Sequence, residues 1–250
     1  MTPHESVSKE QWTEAMRALV IEEKALTRQR DRVAEQRRAL PWVKVDKEYL
    51  FQDASGPVTL AALFDGRSQL IVYHFMFGPE WDEGCIGCSL MADHVDGARQ
   101  HFEHNDVSYV AVSRGPIEKL LAYRTRMGWG FRWVSSAGGD FNADYHVSFP
   151  HGERGDSVFY NFETRPDPEI DELPGISVFY RAEDGAIYHS YSSYARGGES
   201  FLGVYAYLDI LPKGRNEARG GQMTDWLKRH DRYEDDGRTR AVAPALAETA

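Results

Sequence analysis

Hydrophobic positions along the chain change period once, near Pro41. Before it, Trp12, Leu19, Leu26, Val33 and Leu40 recur every seven residues, with Met16 as the one good partner in the second seam position. Glu23, Arg30 and Arg37 fill the other seam positions, so the stripe is too narrow for a self-sufficient coiled coil. Ser8-Lys9-Glu10-Gln11 fits a capping box, and Pro41 ends the helix that it starts. The spacing predicts one long helix over 8–40. Its basic half, Lys24 to Arg38, carries interspersed acids and is expected to be a solvated face.

After Pro41 the pattern is α/β. Trp42–Phe51 is expected to be extended, and Val58–Phe64 a short strand or helical turn. Leu70–Phe77 is a continuous apolar run broken only by His74, as in a buried central strand. A loop leads to Cys85-Ile86-Gly87-Cys88, which opens a helix expected to reach His104. Val107–Val112 predicts a strand and Ile117–Gly128 a helix with Pro116 in its first turn. Residues 128–168 are irregular and rich in rings, which predicts a folded insertion or a contact surface. Ile176–Tyr180 and Ala186–Tyr191 flank Asp184-Gly185, a hairpin signal. Short helices are expected over Phe201–Leu211 and Thr224–His230. The expected division is a helical arm (1–40), one domain (41–233) and a disordered tail (234–250).

Composition narrows the function. The 29 Lys and Arg against 39 Asp and Glu give a net charge of −10, which argues against nucleic-acid or anionic-membrane binding. No apolar run approaches the roughly 20 residues of a membrane span, and the N-terminus does not read as a secretory signal. With 2 cysteines in 250 residues there is no disulfide framework, and the expected compartment is a reducing cytoplasm.

Those cysteines carry the chemistry. A Cys-x-x-Cys at a helix start after a buried strand is a redox signal. The thiolate reacts, and a helix N-terminus offers unpaired N–H groups and partial positive charge that favour it. Cys85 is expected to be the nucleophile and Cys88 the resolving thiol. Asp82 and Glu83 would raise the Cys85 pKa, and Arg114, following the strand beside Ser113, would compensate. Trp81 and His74 are expected to support the site. Metal is the competing reading, since Cys85, Cys88, His101 and His104 give C-x2-C-x12-H-x2-H. A continuous helix would separate the pairs by about 20 Å, so no metal and no cofactor is expected. Ser113 lacks the Gly-x-Ser-x-Gly setting of a hydrolase nucleophile.

Tyr73-His-Phe-Met-Phe-Gly-Pro79, Trp81, Gly84-Cys-x-x-Cys-Ser89, Val110-Ala-Val-Ser-Arg114, Arg126-Met-Gly-Trp129 and Trp133-Val-Ser-Ser136 together resemble a bacterial thioredoxin-like family of unknown function. The resemblance continues through Asp140-Phe-Asn142, Val178-Phe-Tyr-Arg181 and Leu211-Pro-Lys-Gly-Arg215, and covers nearly the whole chain. It implies a thioredoxin-like α/β fold with thiol–disulfide chemistry, and it makes Pro174 the candidate for the cis-proline that faces the cysteines. Peroxiredoxins place Pro-x-x-x-Thr/Ser-x-x-Cys at their reacting cysteine, whereas Pro79 stands six before Cys85. The function expected is a thiol–disulfide oxidoreductase acting on a protein or small-molecule disulfide or thiol. The alternatives are a thiol peroxidase and a non-catalytic binding protein. The arm's stripe, with the aromatic segment Trp129–Trp133, predicts a homodimer.

Overall fold

The computed structural model describes residues 4–150, 155–215, 217 and 226–233. The chain divides into two compact units, Met1–Val43 and Lys44–Ala250. The first is one helix, α1 (Lys9–Arg38), started by the expected box: Gln11 N–H donates to Ser8 Oγ at 3.2 Å, and Ser8 N–H to Gln11 Oε1 at 3.0 Å. No residue of α1 is buried, and Trp12, Leu19, Ile21 and Leu26 are exposed.

The division falls on the two-residue strand β1 (Val43–Lys44). The second unit continues with β2 (Leu50–Asp53), β3 (Gly56–Thr59), α2 (Leu60–Leu63), β4 (Gln69–His74), α3 (Ile86–Asp93), α4 (Val95–Glu103), β5 (Val107–Ser113), α5 (Ile117–Arg126), β6 (Arg132–Ser135) and α6 (Phe141–Asp144). It ends with β7 (Ser157–Tyr160), β8 (Glu163–Pro166), β9 (Gly175–Arg181), β10 (Ile187–Tyr194), the 3₁₀ turn Ala195–Phe201 and α7 (Gly203–Asp209). Its main sheet runs β10-β9-β4-β5-β6-β2-β3. β4, β5 and β6 are parallel, joined by α3 and α4 and then by α5; β9 lies antiparallel to both β4 and β10. A βαβ unit followed by a hairpin and a helix, in the order β10-β9-β4-β5, is a thioredoxin-like fold. The strands β7 and β8 form a separate two-stranded sheet.

Strand alternation gives the sheet two buried faces. Leu70 and Val72 of β4 join Val110, Val112, Val134, Phe141 and Phe179 on one face. Tyr73 points to the other, where Phe75, Phe77, Trp129, Phe131 and Trp133 gather.

Three expectations change. The helix after the cysteines breaks at His94, whose Nδ1–H donates to Leu90 O at 2.7 Å while its Nε2 accepts Val204 N–H at 3.0 Å. The ring-rich stretch 128–168 supplies the sheet strand β6, and Trp129, Phe131 and Trp133 are core residues, so they offer no interface patch. Residues 226–229 are not helical; the turn is His230–Arg232, and 224–225, like the tail 234–250, lie outside the described residues.

Trp133 is fully buried, and its Nε1–H donates to Ser113 Oγ at 3.0 Å. Trp133→Ala is expected to lower the unfolding free energy by about 3–5 kcal/mol in a urea titration.

Candidate functional site

Past β4 the chain keeps its sheet partners for three residues: Phe75 N–H donates to Val112 O at 3.0 Å, and Gly115 N–H to Phe77 O at 2.8 Å. Between them Met76 is tied to the cysteine turn. Its carbonyl accepts Cys85 N–H at 3.1 Å, and its N–H donates to Cys88 Sγ at 3.4 Å. Cys85 is the N-cap of α3 and half-buried, whereas Cys88 lies one turn on and is buried. Both are free thiols. The approach is close at Gly84, where a Cβ would stand 2.6 Å from the Phe75 ring and 2.9 Å from that of Tyr123.

The thiols are electrostatically unequal. The hydrogen bond with Cys88 is the main cause holding Cys85 down to about 6, helped by the Cys88 and Gly87 backbone N–H groups and the Arg229 cation, against the cost of burial. Burial first, and then the bond to Cys85, push Cys88 well up. Tyr73, itself buried and pushed upward by that burial, hydrogen-bonds to Cys88.

Arg229 was not legible as a site residue. Its Nη2–H donates to Gly84 O at 2.7 Å, its Nε–H to Tyr123 OH at 2.9 Å, and its Nη1 meets Glu83 Oε2 at 2.8 Å. Arg126 and Arg232 also pair with Glu83, and the Arg126 hydrogen bond leads in lowering that carboxyl's pKa. Glu83 is therefore charge-compensated instead of standing bare beside Cys85.

The cation assigned to the thiolate by sequence, Arg114, is engaged elsewhere: Nε–H donates to the buried Glu172 at 2.6 Å, and Glu172 accepts Ser148 Oγ–H at 2.5 Å. Ser113 is buried, donating to Phe75 O at 2.6 Å, and so supports the strand end. Trp81 packs over the Tyr73 face of the core and against Gly78, where a Cβ would meet its indole at 2.9 Å. His74 sits under the opposite face, against Phe141 and Tyr145, with Nε2 2.8 Å from Ser177 Oγ. Pro174 shares a cavity wall with Cys85 and Cys88, but no peptide bond among the described residues is cis. His104 Nδ1–H donates to Gln100 O at 2.5 Å, and no three His, Cys, Asp or Glu side chains among the described residues gather to hold a metal ion. No helix among them is long and apolar enough to cross a membrane.

The chain matches the family described as bacterial protein of unknown function (DUF899) over residues 1–233. It belongs to that family. No curated protein matches it. Among solved structures it is similar to the peroxidoxin BcpB of Mycobacterium tuberculosis, at 16% identity and TM-score 0.43, covering 66% of this chain and 94% of that one. A bacterioferritin comigratory protein of Xanthomonas campestris is similar at 10% identity and TM-score 0.40, over 64% and 90%. A putative protein disulfide isomerase of Bacteroides thetaiotaomicron is similar at 16% and 0.37, over 66% and 90%.

Two outcomes are expected. Alkylation of Cys85 should rise with pH through a midpoint near 6, below the roughly 8.5 of a free thiol, and Arg229→Gln should move that midpoint upward while Arg229→Lys keeps most of it. Burial, with His189 nearby, lowers His74 to about 3, so the fold holds it neutral. Its contribution to stability is complete above about pH 6.5 and drains as the pH falls toward 3. Urea midpoints measured from pH 7 to 4 should fall, and His74→Asn should flatten that fall.

Proposed function

We propose that this member of the family is a thiol–disulfide oxidoreductase that works through Cys85 and Cys88. The observation that carries the reading is the asymmetry of the pair: a half-buried thiol at a helix start, where the thiolate is favoured, backed by a fully buried thiol whose burial favours the protonated form. Cys85 thiolate attacks one sulfur of a substrate disulfide. The Cys85–substrate S–S bond forms, the substrate bond breaks, and the leaving thiolate takes a proton. Cys88 then loses its proton and attacks Cys85 sulfur, releasing the second substrate thiol. The chain is oxidised by two electrons, and one disulfide becomes two thiols. In a reducing cytoplasm a cellular dithiol would reset the pair by the reverse exchange.

Equilibration in a series of glutathione redox buffers, followed by mass analysis, tests this. The parent chain should interconvert between a dithiol and an intramolecular disulfide. Cys88→Ser should accumulate a mixed disulfide on Cys85, and Cys85→Ser should react far more slowly. Two thiols that stay reduced throughout would overturn the reading.

For α1, whose heptad stripe has no buried position, the assembly proposed is a twofold pairing with a second copy. Light scattering should give a dimer for the parent and a monomer for the Leu19→Glu, Leu26→Glu double variant.

A further inference from the structure

Two apolar chambers meet beside the thiols. The first, about 140 Å³, is lined by Cys85, Cys88 and Pro174 together with Tyr194, Ala195 and Gly198. The second, about 280 Å³, lies between α4 and the sheet, walled by Ile71, Val95, Phe102, Tyr109 and Val178. Tyr73, Met91 and Ile176 border both. Met91 is the divider best suited to yield, because its unbranched thioether repacks easily.

Two main-chain groups beside the first chamber are already committed. Tyr160 O–H donates to Pro174 O at 2.7 Å and accepts Ala195 N–H at 2.8 Å. A peptide that adds as a strand needs free main-chain groups beside the thiol, and these two are taken. The second chamber's wall also holds one buried polar atom, the Tyr109 hydroxyl, which has no hydrogen-bond partner among the described residues.

We infer that the two chambers form one binding site for a small-molecule disulfide with an alkyl or aryl tail: the disulfide meets Cys85, the tail passes Met91 into the α4 chamber, and a polar atom on the tail meets Tyr109. This rests on the thiol–disulfide reading of Cys85 and names its substrate class. The exchange is the one written above, with the tailed thiol as a product.

The test uses n-alkyl methanethiosulfonates, methyl through octyl, on the full-length Cys88→Ser chain, with glutathione as the reference thiol. A methylene taken into an apolar site strengthens binding by up to about fourfold, so Cys85 labelling by the octyl reagent should exceed the methyl rate by at least about a hundredfold over the same ratio for glutathione. Val178→Trp, which fills the chamber, should bring the octyl-to-methyl ratio back toward that of glutathione. Ala98→Asp should do the same by placing a charge at the chamber's exposed rim, at a position that the core does not need. Each ratio is taken within one variant, so a general loss of reactivity cancels. An octyl-to-methyl ratio equal to that of glutathione, or one that both variants leave unchanged, overturns the two-chamber site while the thiol chemistry stands. A parent chain whose Cys85, with Cys88 in place, resists even the methyl reagent at neutral pH overturns the thiol reading itself.

Discussion

Met76 holds the end of the central strand and the start of α3 in one place. Its carbonyl takes the Cys85 amide and its amide reaches the Cys88 sulfur, so both cysteines are fixed from one residue of the strand extension. Burial then divides the labour. The Met76 amide by itself would favour a Cys88 thiolate, but the cost of ionising a sulfur deep in the core outweighs it. The Cys88 proton then serves the neighbouring sulfur. Cys85, at the mouth of the helix, collects that bond and the first-turn amides, and becomes the sulfur that bears charge. Gly84 makes the turn possible, because a side chain there would displace the Phe75 and Tyr123 rings that floor it.

Glu83, two residues before the nucleophile, does not oppose this arrangement. Glu83 accepts from Arg126, Arg229 and Arg232, and Asp231 closes the set by pairing with Arg126 at 2.7 Å. Arg229 also grips Gly84 O, so the segment 226–233 is bolted to the loop that precedes Cys85. One cation therefore positions the loop and favours the thiolate at once.

The thiol pair, the central strand, the hairpin and the capped arm were legible because each has a local signature: a helix-start Cys-x-x-Cys, an eight-residue apolar run, Asp184-Gly185, and Ser8 with Gln11. The fold class followed from their order and from the family resemblance. β6 was not legible, because four residues between aromatic loops carry no readable period, and its one ring, Trp133, belongs to the core only once β5 lies beside it. Arg229 stands 144 residues after Cys85 in a segment without regular structure up to His230, so spacing could not reveal it. Arg114 was misassigned for the same reason: its partner Glu172 lies 58 residues away and is buried.

One irregularity decides what faces the thiols. The β9–β10 register pairs His189 with Phe179 and then Tyr191 with Val178, leaving Ser190 as the extra residue, its hydroxyl donating to Val178 O at 3.1 Å. An extra residue shifts every later side chain to the other face. Without it, Tyr191 would stand opposite Ser177, on the His74 side. With it, Tyr191 and Ser193 join Val178 and Ile176 as walls of the two chambers, and Ser192 turns inward to Ser177 at 2.8 Å and to His189 at 2.7 Å. The line His74–Ser177–Ser192–His189 satisfies hydroxyls that would otherwise be stranded beneath the sheet, and holds the bulge in register. His74, placed near the site by its position in the strand, thus acts from the far face: it anchors the hairpin that carries the cavity wall.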